Sequence, residues 1–175
     1  MWPGLLSCVT IITEKSRPVG VDRLVIAAGA RGLYGVPAIV IYYGTATTYD
    51  LFSAEGAYVS GVIAPGIRTS AEALWSKTAK LPEIEIRKPE HILAKETISS
   101  MQAGLVYGQI GQTEYIVKHM IAESGYEDIK VVATGGLGNL ISKEKDCIHI
   151  YDPELTLQGL RLIHEKDVKN RGAAS

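Results

Sequence analysis

The run Ala38-Ile39-Val40-Ile41-Tyr42-Tyr43, stopped by Gly44, constrains the fold more than any other stretch of this chain. Its β-branched and aromatic residues, with no charge among them, read as a short strand buried on both faces. Thr47 to Phe52 and Ala57 to Ile63 read as two further strands, joined by the turn Ser53-Ala54-Glu55-Gly56. Ahead of this group, Val21, Leu24, Val25, Ala28 and Leu33 recur near helical spacing, and Gly32, Gly35 and Pro37 close that first helix.

Beyond Pro65-Gly66 the pattern changes period. Ile67 to Lys80 has helical spacing with lysines in its last turn, where cations suit the helix dipole, and Leu81-Pro82 ends it. A polar connector, Leu81 to Ala94, leads to the longest helical pattern, Thr97 to Glu123. Its apolar stripe includes Ile98, Met101, Leu105, Ile110, Val117 and Met120, and Gly104, Gly108 and Gly111 within it predict that something packs very close. Ile129 to Thr134 reads as a strand, Gly135-Gly136 as a tight turn, Leu137 to Ser142 as a short helix and Cys147 to Ile150 as a strand. An amphipathic helix from Pro153 to Glu165 follows, and 166–175 reads as a flexible tail. Three strands followed by alternating helix and strand predict an α/β fold, a mixed sheet flanked by helices.

With 175 residues, 46% hydrophobic and 21% charged, the chain suits one domain with a real core, so one site is sought. A formal net charge of -1 without blocks of like charge argues against a nucleic-acid arm or a polybasic membrane patch. Cys8 and Cys147 are too few for a disulfide framework and lack zinc spacing, as do His91, His119, His149 and His164. Cytoplasm is the expected compartment, and Cys8 reads as a buried thiol. The uncharged run Gly32 to Tyr49 contains Pro37 and interior glycines, and reads as a turn and buried strands, with no membrane role.

Three glycine turns follow strands or open helices: Gly44-Thr45-Ala46-Thr47-Thr48, Ala64-Pro65-Gly66-Ile67 and Thr134-Gly135-Gly136-Leu137. Free backbone N–H groups beside hydroxyls are a common way to hold phosphate. Taken singly, each also fits an ordinary hairpin or strand–helix turn, and the chain has neither a Walker loop nor a G-x-G-x-x-G fingerprint.

Taken in order, these turns and their neighbours resemble one family. Gly20-Val21-Asp22-Arg23, Gly44-Thr45-Ala46-Thr47-Thr48, Gly61-Val62-Ile63-Ala64-Pro65-Gly66-Ile67, Ser100-Met101-Gln102-Ala103-Gly104, Ala133-Thr134-Gly135-Gly136-Leu137 and Asp152-Pro153 resemble type III pantothenate kinase. The resemblance runs from about Pro3 to Glu165. It implies a ribonuclease H-like domain of the acetate/sugar kinase and actin-like ATPase superfamily. It implies ATP and Mg2+ as nucleotide and metal, pantothenate as acceptor, K+ or NH4+ as activating cation, and a homodimer whose substrate pocket is completed across the interface.

Residue by residue, the resemblance makes Asp22 the base that receives the proton of the pantothenate hydroxyl, within a substrate loop of Gly20, Val21, Asp22 and Arg23. Thr97 becomes a pantothenate contact, and Gly44, Thr45, Gly135 and Gly136 become ATP contacts. Without the family, Asp22 is a first-turn acid, Thr45 a turn hydroxyl and Thr97 a helix cap. Two departures stand out. The Asp-x-Gly-Asn-Thr phosphate loop of the family has no counterpart before Gly20, so 1–19 reads as a remnant connector, 20–165 as the C-terminal kinase domain, and the chain alone is expected to be incompetent. Tyr42 occupies the position of the family's cation-ligand aspartate, and a phenol is a poor substitute for a carboxylate towards a hard cation. A separate chain supplying the N-terminal domain would restore the enzyme. The alternatives are a non-catalytic remnant, a dimerising pseudoenzyme or a regulatory partner.

Overall fold

A computed structural model describes residues 20–143 and 146–172. The expected connector at 1–19, with Cys8, lies outside them. The elements are α1 (Val21–Tyr34), β1 (Ala38–Tyr43), β2 (Ala46–Phe52), β3 (Tyr58–Pro65), α2 (Ile67–Lys77), α3 (Thr97–Ser124), β4 (Lys130–Thr134), α4 (Gly138–Ser142), β5 (Ile150–Tyr151) and α5 (Leu155–Gly172).

The five strands form one mixed sheet in the order β3-β2-β1-β4-β5. β1 lies at its centre, antiparallel to β2 and parallel to β4, as its uninterrupted apolar run requires. Alternation along β1 builds two cores. Ile39, Ile41 and Tyr43 point to one face and pack with Ile67 and Ala71 of α2 and with Met101, Val106, Ile110 and Val117 of α3. Val40 points to the other, where Leu24, Val25 and Ile26 of α1 meet Leu155 and Ile163 of α5. Burial of side chains this size contributes about 1.5–3 kcal/mol each.

Helices α1 and α5 approach so closely that glycine is required at their crossing. A Cβ on Gly159 would run into the Val25 carbonyl oxygen, and one on Gly29 would sit 2.8 Å from the Leu155 carbonyl oxygen. Asp152 joins the two helices: one carboxylate oxygen accepts the Tyr34 hydroxyl at 2.9 Å and the other accepts the Glu154 N–H at 2.8 Å.

Several boundaries differ from the sequence reading. α2 stops at Lys77, because the Thr78 hydroxyl turns back to donate to the Leu74 carbonyl and Thr78 itself is extended. β5 is shorter and later than Cys147 to Ile150. Residues 166–172, expected to be a flexible tail, continue α5 as helix, with an i,i+4 ion pair between Arg171 and Asp167 at 2.9 Å. The close neighbour expected at the glycines of α3 is not found among the described residues. Among the described residues nothing lies within 4 Å of a Cβ built on Gly104, Gly108 or Gly111.

Candidate active site

The three glycine turns meet at one end of the sheet. β1 and β4 run parallel with Tyr42 opposite Thr134, so Gly44-Thr45 and Gly135-Gly136 emerge side by side. The third turn joins them because Pro65 at the end of β3 pairs with Ala46 at the start of β2. The Gly66 N–H donates to the Thr45 carbonyl at 2.9 Å, and the Thr69 hydroxyl donates to the same oxygen at 2.7 Å. A side chain on Gly66 would strike the carbonyls of Gly44 and Thr45, and one on Gly135 would strike that of Tyr43. Gly135 also has φ 103, a left-handed conformation that favours glycine.

Two of the turns border a cavity of about 470 Å³ whose walls include Tyr42, Gly44, Thr45, Arg68, Glu72 and Gly136, and the third supports it by holding Thr45. It opens beyond the carboxyl ends of parallel strands, where open α/β sheets place their ligands. Arg68 in the first turn of α2 adds a guanidinium suited to a phosphate group, while the Thr69 hydroxyl is committed to the Thr45 carbonyl. Behind this wall the Tyr43 hydroxyl is 3.0 Å from the Thr113 hydroxyl, which is also 3.0 Å from that of Tyr49. Burial pushes the Tyr43 phenol well above its usual range, so it serves as a neutral hydrogen-bonding brace between β1 and α3.

The Gly20-Val21-Asp22-Arg23 motif starts α1 on the other face. Gly20 is the N-cap, and the Asp22 carboxylate folds over it into the space a Gly20 side chain would fill. Both Gly20 and Asp22 are exposed, and Val21 is 63% exposed. Asp22 is thus a first-turn acid open to a ligand, as the sequence reading allows. Arg23 points inward. Its Nε donates to Asp50 Oδ2 at 3.0 Å, its Nη2 donates to Asp50 Oδ1 and, at 3.0 Å, to the Tyr58 hydroxyl. One edge of the guanidinium is thus committed to the protein. Asp50 is buried, and that burial lifts its carboxyl above the usual range despite Arg23, whose own pKa the pairing raises.

Tyr42 connects the two regions. The Thr48 hydroxyl contacts Asp50 Oδ2 at 3.4 Å, and Thr48 pairs with Tyr42, a wall of the glycine cavity. The Tyr42 ring lies over the Gly44 backbone, where a Cβ would be 2.5 Å from its Cε1. Thr97 is elsewhere. It is the first residue of α3, with Glu96 at the N-cap, and lines a separate cavity of about 770 Å³ with Ser70, Lys95, Ser100 and Gly104.

Sequence reasoning missed Asp50, Tyr58, Gly61 and Arg68. A signal was available for the first: Asp50 is a charged residue inside a strand, and its partner in register is Gly61.

A profile of the family described as type III pantothenate kinase matches residues 3–119. A type III pantothenate kinase of Agathobacter rectalis is 55% identical over 163 residues, 93% of this chain and 63% of that protein. The chain therefore spans less than two thirds of that relative's length. Among solved structures, a conserved protein assigned to the Baf family of transcriptional activators from Campylobacter jejuni superimposes with a TM-score of 0.62 at 20% identity, over 94% of this chain and 72% of that one. The activator of 2-hydroxyisocaproyl-CoA dehydratase from Clostridium difficile, solved with bound ADPNP, gives a TM-score of 0.52 at 12% identity over the same shares. At such identities these two show the fold alone, a mixed sheet flanked by helices. Profile and relative together settle the family, and the chain belongs to the type III pantothenate kinases.

Proposed function

We propose that this chain carries the acceptor half of a pantothenate kinase site, for the reaction of ATP with pantothenate to ADP and 4′-phosphopantothenate. The observation that supports the reading is the meeting of the three glycine turns at one end of the sheet, two of them bordering one cavity, with the Asp22 loop starting the helix on the other face. Gly44, Thr45, Gly135 and Gly136 offer backbone and hydroxyl donors to the nucleotide phosphates, with Arg68 as a further cation. Asp22 orients the primary hydroxyl of pantothenate and receives its proton late in a loose transition state, the contribution a carboxylate can make towards an alcohol.

Mg2+ would bridge the phosphates and neutralise developing charge when bound. Among the described residues no group of three or more His, Cys, Asp or Glu could hold it. The Asp-x-Gly-Asn-Thr segment to which the family resemblance assigns this task does not occur in the 175 residues. The roles proposed for this chain's own residues are donors to the nucleotide phosphates, orientation of the acceptor hydroxyl and acceptance of its proton. Nor do the residues around Tyr42 fit a potassium site, since the phenol lies over Gly44 where the resemblance calls for a carboxylate.

Thr97 supports a dimer. It lines a cavity sharing no wall residue with the glycine cavity, on a helix where Cβ atoms built on Gly104 and Gly108 meet nothing within 4 Å among the described residues. A second copy laid against α3 would cover those glycines and bring Thr97 to the partner's pantothenate. No described helix is long and apolar enough to cross a membrane, and with ATP and pantothenate as its substrates the cytoplasm is the proposed place of work. The test is a phosphotransfer assay on the 175-residue chain, alone and mixed with a polypeptide carrying the Asp-x-Gly-Asn-Thr segment. Phosphopantothenate should form in the mixture and not with the chain alone. A mixture that binds ADPNP and leaves pantothenate untouched would overturn the acceptor assignment.

A further inference from the structure

Arg23 and Asp50 meet in a slot cut for them. Asp50 on β2 faces Gly61 on β3 in register, and a Cβ on Gly61 would lie 2.5 Å from Asp50 Oδ1, 2.6 Å from Arg23 Nη2 and 2.6 Å from the Tyr58 hydroxyl. The missing side chain thus makes room for a carboxylate, a guanidinium and a phenol. On its other side Asp50 pairs with Val40, so the surroundings would accept an apolar residue. A buried ion pair is weak support for stability, because desolvation offsets most of the attraction. Its location says more, since it grips the residue next to Asp22.

We propose that Asp50, seated with Tyr58 in the slot left by Gly61, is a positioning residue for the acceptor loop. It holds Arg23 by the Nε and Nη2 edge, leaves Nη1 as the donor for the carboxylate of an acidic, hydroxylated substrate, and fixes the start of α1 that presents Asp22. The Arg23 side chain would otherwise order only on binding, and ordering a long side chain in advance removes that cost from the affinity. The pairing also neutralises the guanidinium, so the substrate carboxylate meets a directed donor with little excess charge. The inference rests on the acceptor reading of the Asp22 loop.

Asp50→Asn keeps the shape and cannot serve both guanidinium nitrogens. In the assay mixture it should raise KM for pantothenate roughly 10- to 100-fold, the range of one or two lost charge-assisted hydrogen bonds, with KM for ATP changed less than about twofold. Arg23→Gln should do the same, and the double variant should be no worse than either single one. Gly61→Ala, which leaves all three side chains present and only crowds them, should shift KM for pantothenate in the same direction by less. Equal rises in both KM values, or additive effects in the double variant, would overturn the proposal. A readout independent of turnover guards against failure of the kinase reading itself. In Asp50→Asn, or in Gly61→Ala if that variant folds better, the Arg23 Nε–H and the 20–23 amide resonances should move, read well below each variant's melting temperature while the rest of the spectrum stays native-like. Unmoved resonances would sink the positioning role even if pantothenate is phosphorylated; moved resonances with no phosphorylation by the unaltered mixture would instead retain the Arg23–Asp50 link and fault the substrate.

Discussion

Two sets of helical glycines in this molecule look alike in sequence and behave oppositely in space. Where α1 crosses α5, Gly29 and Gly159 sit against backbone carbonyls, and neither could carry a methyl group without moving a helix. Along α3, Gly104, Gly108 and Gly111 face open space among the described residues. Each glycine inside a helix costs about 1 kcal/mol relative to alanine. At the α1–α5 crossing that cost is offset by the burial of Leu155, Ile163, Val25 and Ile26, which close approach permits. On α3 nothing among the described residues offsets it. The difference marks an exposed face on the α3 side, whereas α1 is packed against α5 at Gly29 and tied to β2 by Arg23.

If the α1 side is a rigid platform for chemistry, its exposed acid can be changed without disturbing the platform. In the assay mixture Asp22→Asn should lower kcat by roughly 10²–10⁴, the range for a positioned base. Asp22 is exposed and contributes at most a favourable first-turn charge, about 0.3–1 kcal/mol. The melting temperature should therefore barely move. Near-normal turnover in Asp22→Asn would return the residue to a purely structural role at the start of α1.

Alanine substitutions then set the two glycine classes against each other. Gly159→Ala should destabilise the chain by about 1–3 kcal/mol, since the new methyl group has only the Val25 backbone to push against. Gly108→Ala, measured by denaturant unfolding at concentrations low enough to keep chains apart, should stabilise by up to about 1 kcal/mol through helix propensity alone. Changes of the same sign would erase the distinction drawn between the crossings.

That distinction could not be read from the sequence, because a glycine's reason lies in a partner distant along the chain. What was legible had local causes. The central strand followed from an uninterrupted run from Ala38 to Tyr43, and the cavity from three glycine turns that each end or follow a strand. The helix end at Lys77 was missed because the Thr78 hydroxyl competes for the Leu74 carbonyl, while Lys80 suggested a longer helix. The slot at Gly61 was missed because it needs the β2–β3 register, in which Asp50 and Gly61 become opposite neighbours. Tyr58 enters the same cluster by accepting from Arg23, 35 positions earlier.

A second copy covering α3 gives the third test. Sedimentation at micromolar concentration should show a two-fold dimer, with the same surface presented by each copy. Gly108→Leu should dissociate it, because a branched side chain at the proposed contact would hold the helices apart. The Gly108→Leu chain should keep its fold, as the position faces open space. A monodisperse monomer for the unaltered chain would leave the α3 glycines without the cover proposed for them.

The smallest effect expected concerns Tyr42, on the wall where the two sides of the sheet come closest. Activity in the assay mixture should be insensitive to exchange of potassium for sodium. A potassium site needs several oxygen ligands, and a carboxylate offers charge together with two of them. Tyr42 brings one oxygen on a rigid ring, and the ring itself covers Gly44. Tyr42→Asp should therefore both remove the bulk and restore a ligand, giving a potassium response of a few-fold. Tyr43 should be left alone in this test, although the family resemblance places phenylalanine there. Its hydroxyl braces β1 against Thr113 on α3, and Tyr43→Phe would mix a loss of bracing with the gain of a cation site. Strong potassium dependence in the unaltered chain would show that other oxygens, such as the Gly44 and Thr45 carbonyls packed against Gly66, build the site without a carboxylate.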